Sequence, residues 1–176
     1  VTYSGVISTG PIDSIVRLAS RCNQLGLPAI KIKIDGDDAF ERVAAVREMV
    51  GSSVSLRVDA NGAYSVDRAI RIMEQLAELS VECAEQPIPR GAPEDLAAVR
   101  KASPIPIMAD ESLVTLADSD LLIRASACDY FNLRLSKCGG IFRTLQIAQK
   151  AIDAKVRLQV GCQVGETAIL SAAGRH

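Results

Sequence analysis

No two of the five cysteines, at 22, 83, 128, 138 and 162, form a CxxC pair or share a spacing typical of a zinc or redox site. Four lie in or beside apolar stretches, so they are expected to be reduced core residues of a cytoplasmic protein. No long run of like charge occurs and the formal net charge is -1, which argues against the concentrated basic face that nucleic acid or an acidic membrane requires. No apolar stretch approaches a membrane span, and the opening VTYSGVISTG has no basic segment followed by a long apolar one. No glycine-rich G-x-G-x-x-G follows the first strand candidate. No initiator methionine opens the chain, so a piece of a longer protein is expected. What remains is a partner of small-molecule type, with homo-oligomerisation left open. About half the residues are apolar, enough for one domain over 1–176 with a substantial core.

What is present is an alternation. Short β-branched runs begin near SGVIS and recur as AIKIKI, VSLRVDA, VECAEQP, PIPIMAD, DYFNLRL and KVRLQVG. Amphipathic segments follow them at 13–26, 38–50, 66–79, 94–102, 115–126, 140–154 and 165–174, several opening on Asp or Ser near an expected N-cap. A repeat of about 25 residues without long linkers predicts β-loop-α units on a parallel sheet. The expected fold is a TIM-like barrel that stops after seven units, without an eighth strand. Strands one and seven of such a piece are open edges.

In a parallel barrel, chemistry gathers where strands end, because side chains from several strands meet there around one cavity. Lys31 and Lys33 are two apart and share one face of the second strand, while Ile30, Ile32 and Ile34 share the other. The isoleucines are expected to meet helices and the lysines to enter the barrel. Taken alone, K-x-K also describes the solvated face of an edge strand.

Asp59, Glu85 and Asp110 follow one another at intervals of 26 and 25 residues, at equivalent ends of consecutive strands. Three carboxylates converging in a cavity repel one another, whereas a hard divalent cation accepts oxygen ligands and keeps positions open for substrate. Mg²⁺ is the expected cofactor. Each motif has a plainer reading: DANG as a turn, EQP as a strand end before proline, and Ser112 of ADES as a helix cap. Lys137 stands in LSKCGG beyond the sixth strand. If Asn132 and Arg134 point inward, Lys137 has the wrong parity, so the strand must end or bulge near Ser136 for its amine to reach the cavity. Gly139 and Gly140 could instead form an anion-binding loop.

KIK, RVDANG, AEQP, MADES and NLRLSKCGG, in this order and spacing, resemble the barrel domain of the enolase superfamily. The similarity is to its muconate lactonizing subgroup of cycloisomerases, dipeptide epimerases and o-succinylbenzoate synthases, and it spans nearly the whole chain. It implies a (β/α)7β barrel, here incomplete, with the eighth strand and the N-terminal capping domain outside this chain. By motif it implies Asp59, Glu85 and Asp110 as Mg²⁺ ligands, and Lys33 and Lys137 as acid/base lysines on opposite faces of the substrate. Lys31 is implied as the neighbour that lowers the pKa of Lys33, and Asn61 and Glu111 as hydrogen-bonded support. Pairing a lysine base with Mg²⁺ is a known property of that superfamily. His176 is the only histidine, so a histidine base of the mandelate racemase type has no candidate. Two departures stand out: Arg134 where relatives often carry a second lysine, and GCQVGET without a methionine-containing motif before the glutamate.

The implied enzyme is a Mg²⁺-dependent isomerase acting on a small-molecule carboxylate. A proton α to a carboxylate is too weakly acidic for an amine unless the developing enediolate is stabilised, which a Lewis acid supplies. Amines on two faces allow racemisation or epimerisation of an amino-acid derivative; one amine with an electrostatic partner allows cycloisomerisation or β-elimination. The alternatives are a Schiff-base lysine aldolase and a non-catalytic metal-binding barrel.

Overall fold

The computed structural model describes residues 2–163 and 165–176; Val1, and Val164 within GCQVGET, lie outside the described residues. Among the described residues, seven strands alternate with seven helices in strict order. The strands are β1 (Ser4–Ile7), β2 (Ala29–Lys33), β3 (Ser55–Asp59), β4 (Val81–Glu85), β5 (Ile107–Ala109), β6 (Tyr130–Leu133) and β7 (Arg157–Val160). The helices are α1 (Ile12–Gln24), α2 (Ala39–Val50), α3 (Val66–Ala77), α4 (Pro93–Ala102), α5 (Leu116–Arg124), α6 (Ile141–Asp153) and α7 (Ala168–Arg175). All neighbouring strands pair in parallel, in chain order from β1 to β7. Each strand returns through a helix, as right-handed parallel crossovers require. The expected seven-unit incomplete barrel is what forms.

The core lies between sheet and helices. Ile30, Ile32 and Ile34 of the second unit are fully buried, together with Leu56 and Val58 of β3. They meet the apolar stripes of the helices, such as Val43, Val46 and Val50 of α2 and Ala69, Met73 and Leu76 of α3. Burying each such side chain contributes about 1.5–3 kcal/mol. The far end is thinner: β7 has no buried residue and α7 buries none of its side chains.

Capping departs from expectation. Asp38 and Ser65 sit at the N-caps of α2 and α3 but neither side chain closes a capping hydrogen bond. Only α5 shows a side-chain cap among the described residues, a capping box of Thr115 and Asp118. Ser112 does not cap α5; its hydroxyl accepts a hydrogen bond from Gln86 Nε2 at 2.8 Å. All five cysteines are free, with Cys83, Cys128 and Cys138 buried and Cys162 exposed. No helix among the described residues is long and apolar enough to cross a membrane.

Candidate active site

Regular alternation along β2 turns Lys31 and Lys33 to the face opposite the buried isoleucines. In-register pairing sets Lys33 beside Asp59. Glu85 owes its place to an irregularity. Leu56 pairs with Val81 but Arg57 pairs with Cys83, so Glu82 is an extra residue in β4. Without that bulge Ala84 would stand beside Asp59; with it, Glu85 does. Asp110 sits higher, because Glu85 pairs with Met108, two residues earlier in the chain. The three carboxylates therefore stand at the ends of adjacent strands on one face, with Asp110 one inward position above the other two. Asp59, Glu85 and Asp110 are 1%, 2% and 0% exposed, so their charges must be met within the protein.

Lys31 meets two of them. Its Nζ lies 2.9 Å from Asp59 Oδ2 and 3.2 Å from both oxygens of Glu85. Burial pulls the Lys31 pKa down, but attraction to Glu85 and Asp59 and their hydrogen bonds outweigh it and raise the pKa overall. The two carboxylates thus favour the ammonium form of Lys31. Lys33 is the more accessible amine at 35% side-chain exposure, 3.4 Å from Asp59 Oδ2. It donates a short hydrogen bond to Asn61 Oδ1, and Asn61 Nδ2 donates to Glu111 Oε1 at 2.9 Å. Asn61 has φ of +44° and its backbone N–H reaches Asp59 Oδ1 at 3.0 Å, so the DANG turn is both a turn and part of the site.

The opposite flank is built by a turn. β6 ends at Leu133, and residues 135–139 wind through one tight turn in which the Lys137 and Cys138 N–H groups bond the Arg134 carbonyl. That early end brings Lys137 inward despite its parity. Its Nζ donates to the Asp110 carbonyl at 2.5 Å, to Asp110 Oδ1 at 2.8 Å and to the Asn132 carbonyl at 3.1 Å. Burial pushes its pKa down to about 8, with Arg134 adding repulsion. Arg134 itself forms an ion pair with Asp110 Oδ2 and lies 3.6 Å from Glu85 Oε1. Asn132 Nδ2 donates to Glu85 Oε1 at 2.8 Å.

Three further residues lie within the quoted motifs without a role assigned to them there. Asn132 and Arg134 are signalled by strand parity, which turns both inward. Gln86 stands in AEQP only as a polar neighbour of Glu85: it adopts φ of +38°, is fully buried and ties the β4 loop to the β5 loop. Its Oε1 accepts from the N–H groups of Asp110 and Ser112, both at 3.0 Å, and its Nε2 donates to the Ile88 carbonyl at 2.8 Å.

Three buried carboxylates from adjacent strands form an all-oxygen donor set that suits a hard divalent cation. Asp110 Oδ2 is buried without a hydrogen bond and has only its ion-pair contact with Arg134. Lys31 between Asp59 and Glu85, and Arg134 between Glu85 and Asp110, stand where such a cation would draw the oxygens together. Among the described residues no three acidic, histidine or cysteine side chains already close around one point. The donor chemistry suits Mg²⁺, while in this arrangement Lys31 and Arg134 neutralise the same carboxylates. A cavity of about 560 Å³ opens instead at the opposite end of the sheet, lined by Arg100, Pro104, Ser126 and Asp129. It receives none of the strand-end carboxylates.

The family model described as enolase C-terminal domain-like matches residues 14–176. The D-Ala-D/L-Ala epimerase of Cytophaga hutchinsonii is 39% identical over 158 residues, covering 87% of this chain and 43% of that relative. The solved dipeptide epimerase from Cytophaga hutchinsonii, complexed with Mg and the dipeptide D-Ala-L-Val, superposes with a TM-score of 0.96 at 34% identity, covering 100% of this chain and 48% of that one. The muconate cycloisomerase from Pseudomonas fluorescens gives a TM-score of 0.93 at 30% identity, covering 99% of this chain and 49% of that one. The chain spans about half the length of the proteins it matches.

Proposed function

We propose, from the premise that this chain belongs to the enolase C-terminal domain-like family, that it is the catalytic barrel of a Mg²⁺-dependent isomerase acting on a small carboxylate. The observation that carries the proposal is the row formed by Lys33, Asp59, Glu85 and Asp110, an accessible amine beside three buried carboxylates. A relative that is a D-Ala-D/L-Ala epimerase and a neighbour that binds Mg and D-Ala-L-Val support an amino-acid derivative as substrate. The muconate cycloisomerase neighbour supports ring closure or opening as the other outcome.

Asp59, Glu85 and Asp110 would hold the Mg²⁺, which supplies Lewis-acid stabilisation of negative charge on the substrate carboxylate. Lys33 removes the α-proton, because it is the amine with solvent access and its one short hydrogen bond is to a neutral amide. Lys31 pairs with Asp59 and Glu85 and shares the inward face of β2 with Lys33. Asn61 and Glu111 fix where the Lys33 amine sits. Gln86 and Asn132 fix the two neighbouring carboxylates by hydrogen bonds from the side. Residues outside this span would close the site and read the distal end of the substrate.

In the full-length protein with Mg²⁺, a dipeptide in D₂O should lose its α-proton signal by NMR, and Lys33→Ala should slow this by about 10²–10⁴-fold. Metal-independent turnover with a borohydride-trapped lysine adduct would establish Schiff-base chemistry instead. A rise in Tm with Mg²⁺ but no exchange from any dipeptide or N-acyl amino acid would establish a binding barrel.

A further inference from the structure

The turn that carries Lys137 is anchored at its two ends by packing and at its apex by something else. The Lys137 and Cys138 N–H groups bond the Arg134 carbonyl at 3.0 and 2.8 Å, and the Gly140 N–H bonds the Leu135 carbonyl at 2.8 Å. Leu135 and Cys138 are both buried, so apolar contact fixes the backbone on either side. Ser136 is exposed and has no such packing. A lysine amine swings on a flexible four-carbon stem, so its reach depends on where its backbone is held.

Ser136 is held from the neighbouring loop. Backbone pairing between β6 and β7 stops at the Gly161 N–H, which bonds the Leu133 carbonyl at 2.8 Å. Above that point, the hydrogen bonds that join the two loops among the described residues all come from the Ser136 hydroxyl. It donates to Glu166 Oε1 at 2.7 Å, with Gln163 Oε1 as the longer alternative at 3.2 Å. A hydroxyl bonded to a carboxylate makes a stronger hydrogen bond than one between neutral groups. Glu166, the glutamate of GCQVGET, is half-buried and lies just before α7.

We propose that Glu166 is a positioning residue for Lys137: it takes the Ser136 hydroxyl bond and pins the apex of the β6 turn to the β7 loop. This rests on the reading above, with Lys137 as the second acid/base amine that the motifs imply. Lys33 on β2 and Lys137 beyond β6 flank the strands that carry the three carboxylates. Each amine then serves one face of the substrate's α-carbon. Ser136 and Glu166 join loops on the β6 side only, so their loss reaches Lys137 and spares Lys33. Misplacing a reacting group by about 1 Å costs on the order of 10²-fold in rate, and one lost bond at the rim gives part of that.

The test uses the full-length, Mg²⁺-loaded protein and both α-epimers of one dipeptide in D₂O, with loss of each α-proton followed by NMR. The epimer that stops exchanging in Lys33→Ala reports Lys33, and the other reports Lys137. Ser136→Ala and Glu166→Ala should each slow exchange of the Lys137 epimer by about 10–10²-fold, through kcat more than KM. Exchange of the Lys33 epimer should stay as it is, which also shows that each variant has folded. Ser136→Thr and Glu166→Gln, which keep the hydroxyl and an acceptor oxygen, should restore most of the rate. The double alanine variant should be no slower than either single one, because both remove the same bond. Equal slowing of both epimers, additive losses, or a raised KM at constant kcat would each overturn the positioning role. Absence of exchange from both epimers in the unaltered protein would overturn the isomerase reading itself, and this role with it.

Discussion

The β2 flank of the carboxylate row and the β6 flank carry the same charges on different scaffolds. On β2, Lys31 and Lys33 ride a regular strand whose isoleucines are fully buried, and Lys33 remains 35% exposed. Beyond β6, a strand stop and a tight turn deliver Arg134 and Lys137, which are 15% and 12% exposed and paired to a carboxylate with no exposure at all. Removing a partner on the β6 flank leaves an uncompensated buried charge, whereas the Lys33 ion pair is partly solvated, so changes on the β6 flank should cost more folding stability than changes at Lys33.

The largest effect is expected at Asp110. Asp110→Ala leaves Arg134 and Lys137 without their shared buried partner, and should lower the urea-unfolding free energy by about 3–5 kcal/mol. A loss below about 1 kcal/mol would mean that water replaces the carboxylate freely on that flank. Next comes Gly161, at the end of β7, where an added Cβ would overlap the Asn132 side-chain oxygen. Gly161→Ala should cost about 1–3 kcal/mol through that displacement, and should disturb Glu85 through its bond to Asn132. Unchanged unfolding would show that Asn132 can turn aside. Lys33→Met should lower stability by about 1 kcal/mol or less, its ion pair being partly solvated, even as exchange collapses. A larger loss would make the two flanks energetically alike.

The smallest effect lies outside the row. Asp118 accepts hydrogen bonds from the N–H groups of Val114 and Thr115 and from the Thr115 hydroxyl, and pairs with Arg90 at 2.8 Å. Burial raises its pKa, but those bonds and the Arg90 charge outweigh it, so its pKa lies below the ordinary carboxylate value. A depressed folded-state pKa gives stability that is present above the unfolded value and lost as pH falls through the folded one. Asp118→Asn should lower the urea midpoint near neutral pH and flatten its fall on the acid side. An acid limb of unchanged slope would assign that fall to other carboxylates.

The sequence disclosed the regular parts of this architecture well. Alternation of β-branched and amphipathic runs marks all seven units, and parity along AIKIKI and DYFNLRL turns Lys31, Lys33, Asn132 and Arg134 inward. What it did not disclose is where regularity fails. The bulge at Glu82 decides whether Glu85 or Ala84 faces Asp59, and nothing in VECAE announces an extra residue. The end of β6 at Leu133, three residues before the expected stop near Ser136, depends on a turn closed by long-range contacts of Lys137. Asp38 and Ser65 have capping chemistry and occupy N-caps without forming a side-chain bond, since propensity is only a weak guide once packing sets the loop.

Gln86 has a mechanical consequence. One amide reaches the backbone of Asp110 and the side chain and backbone of Ser112, while its own backbone N–H bonds the Met108 carbonyl. A displacement of the end of β4 therefore drags the end of β5 with it. Position errors of Glu85 and Asp110 become correlated, so the gap between them is a stiffer coordinate than the location of either one. Thermal jostling of the rim can shift both oxygens together and leave their spacing almost unchanged.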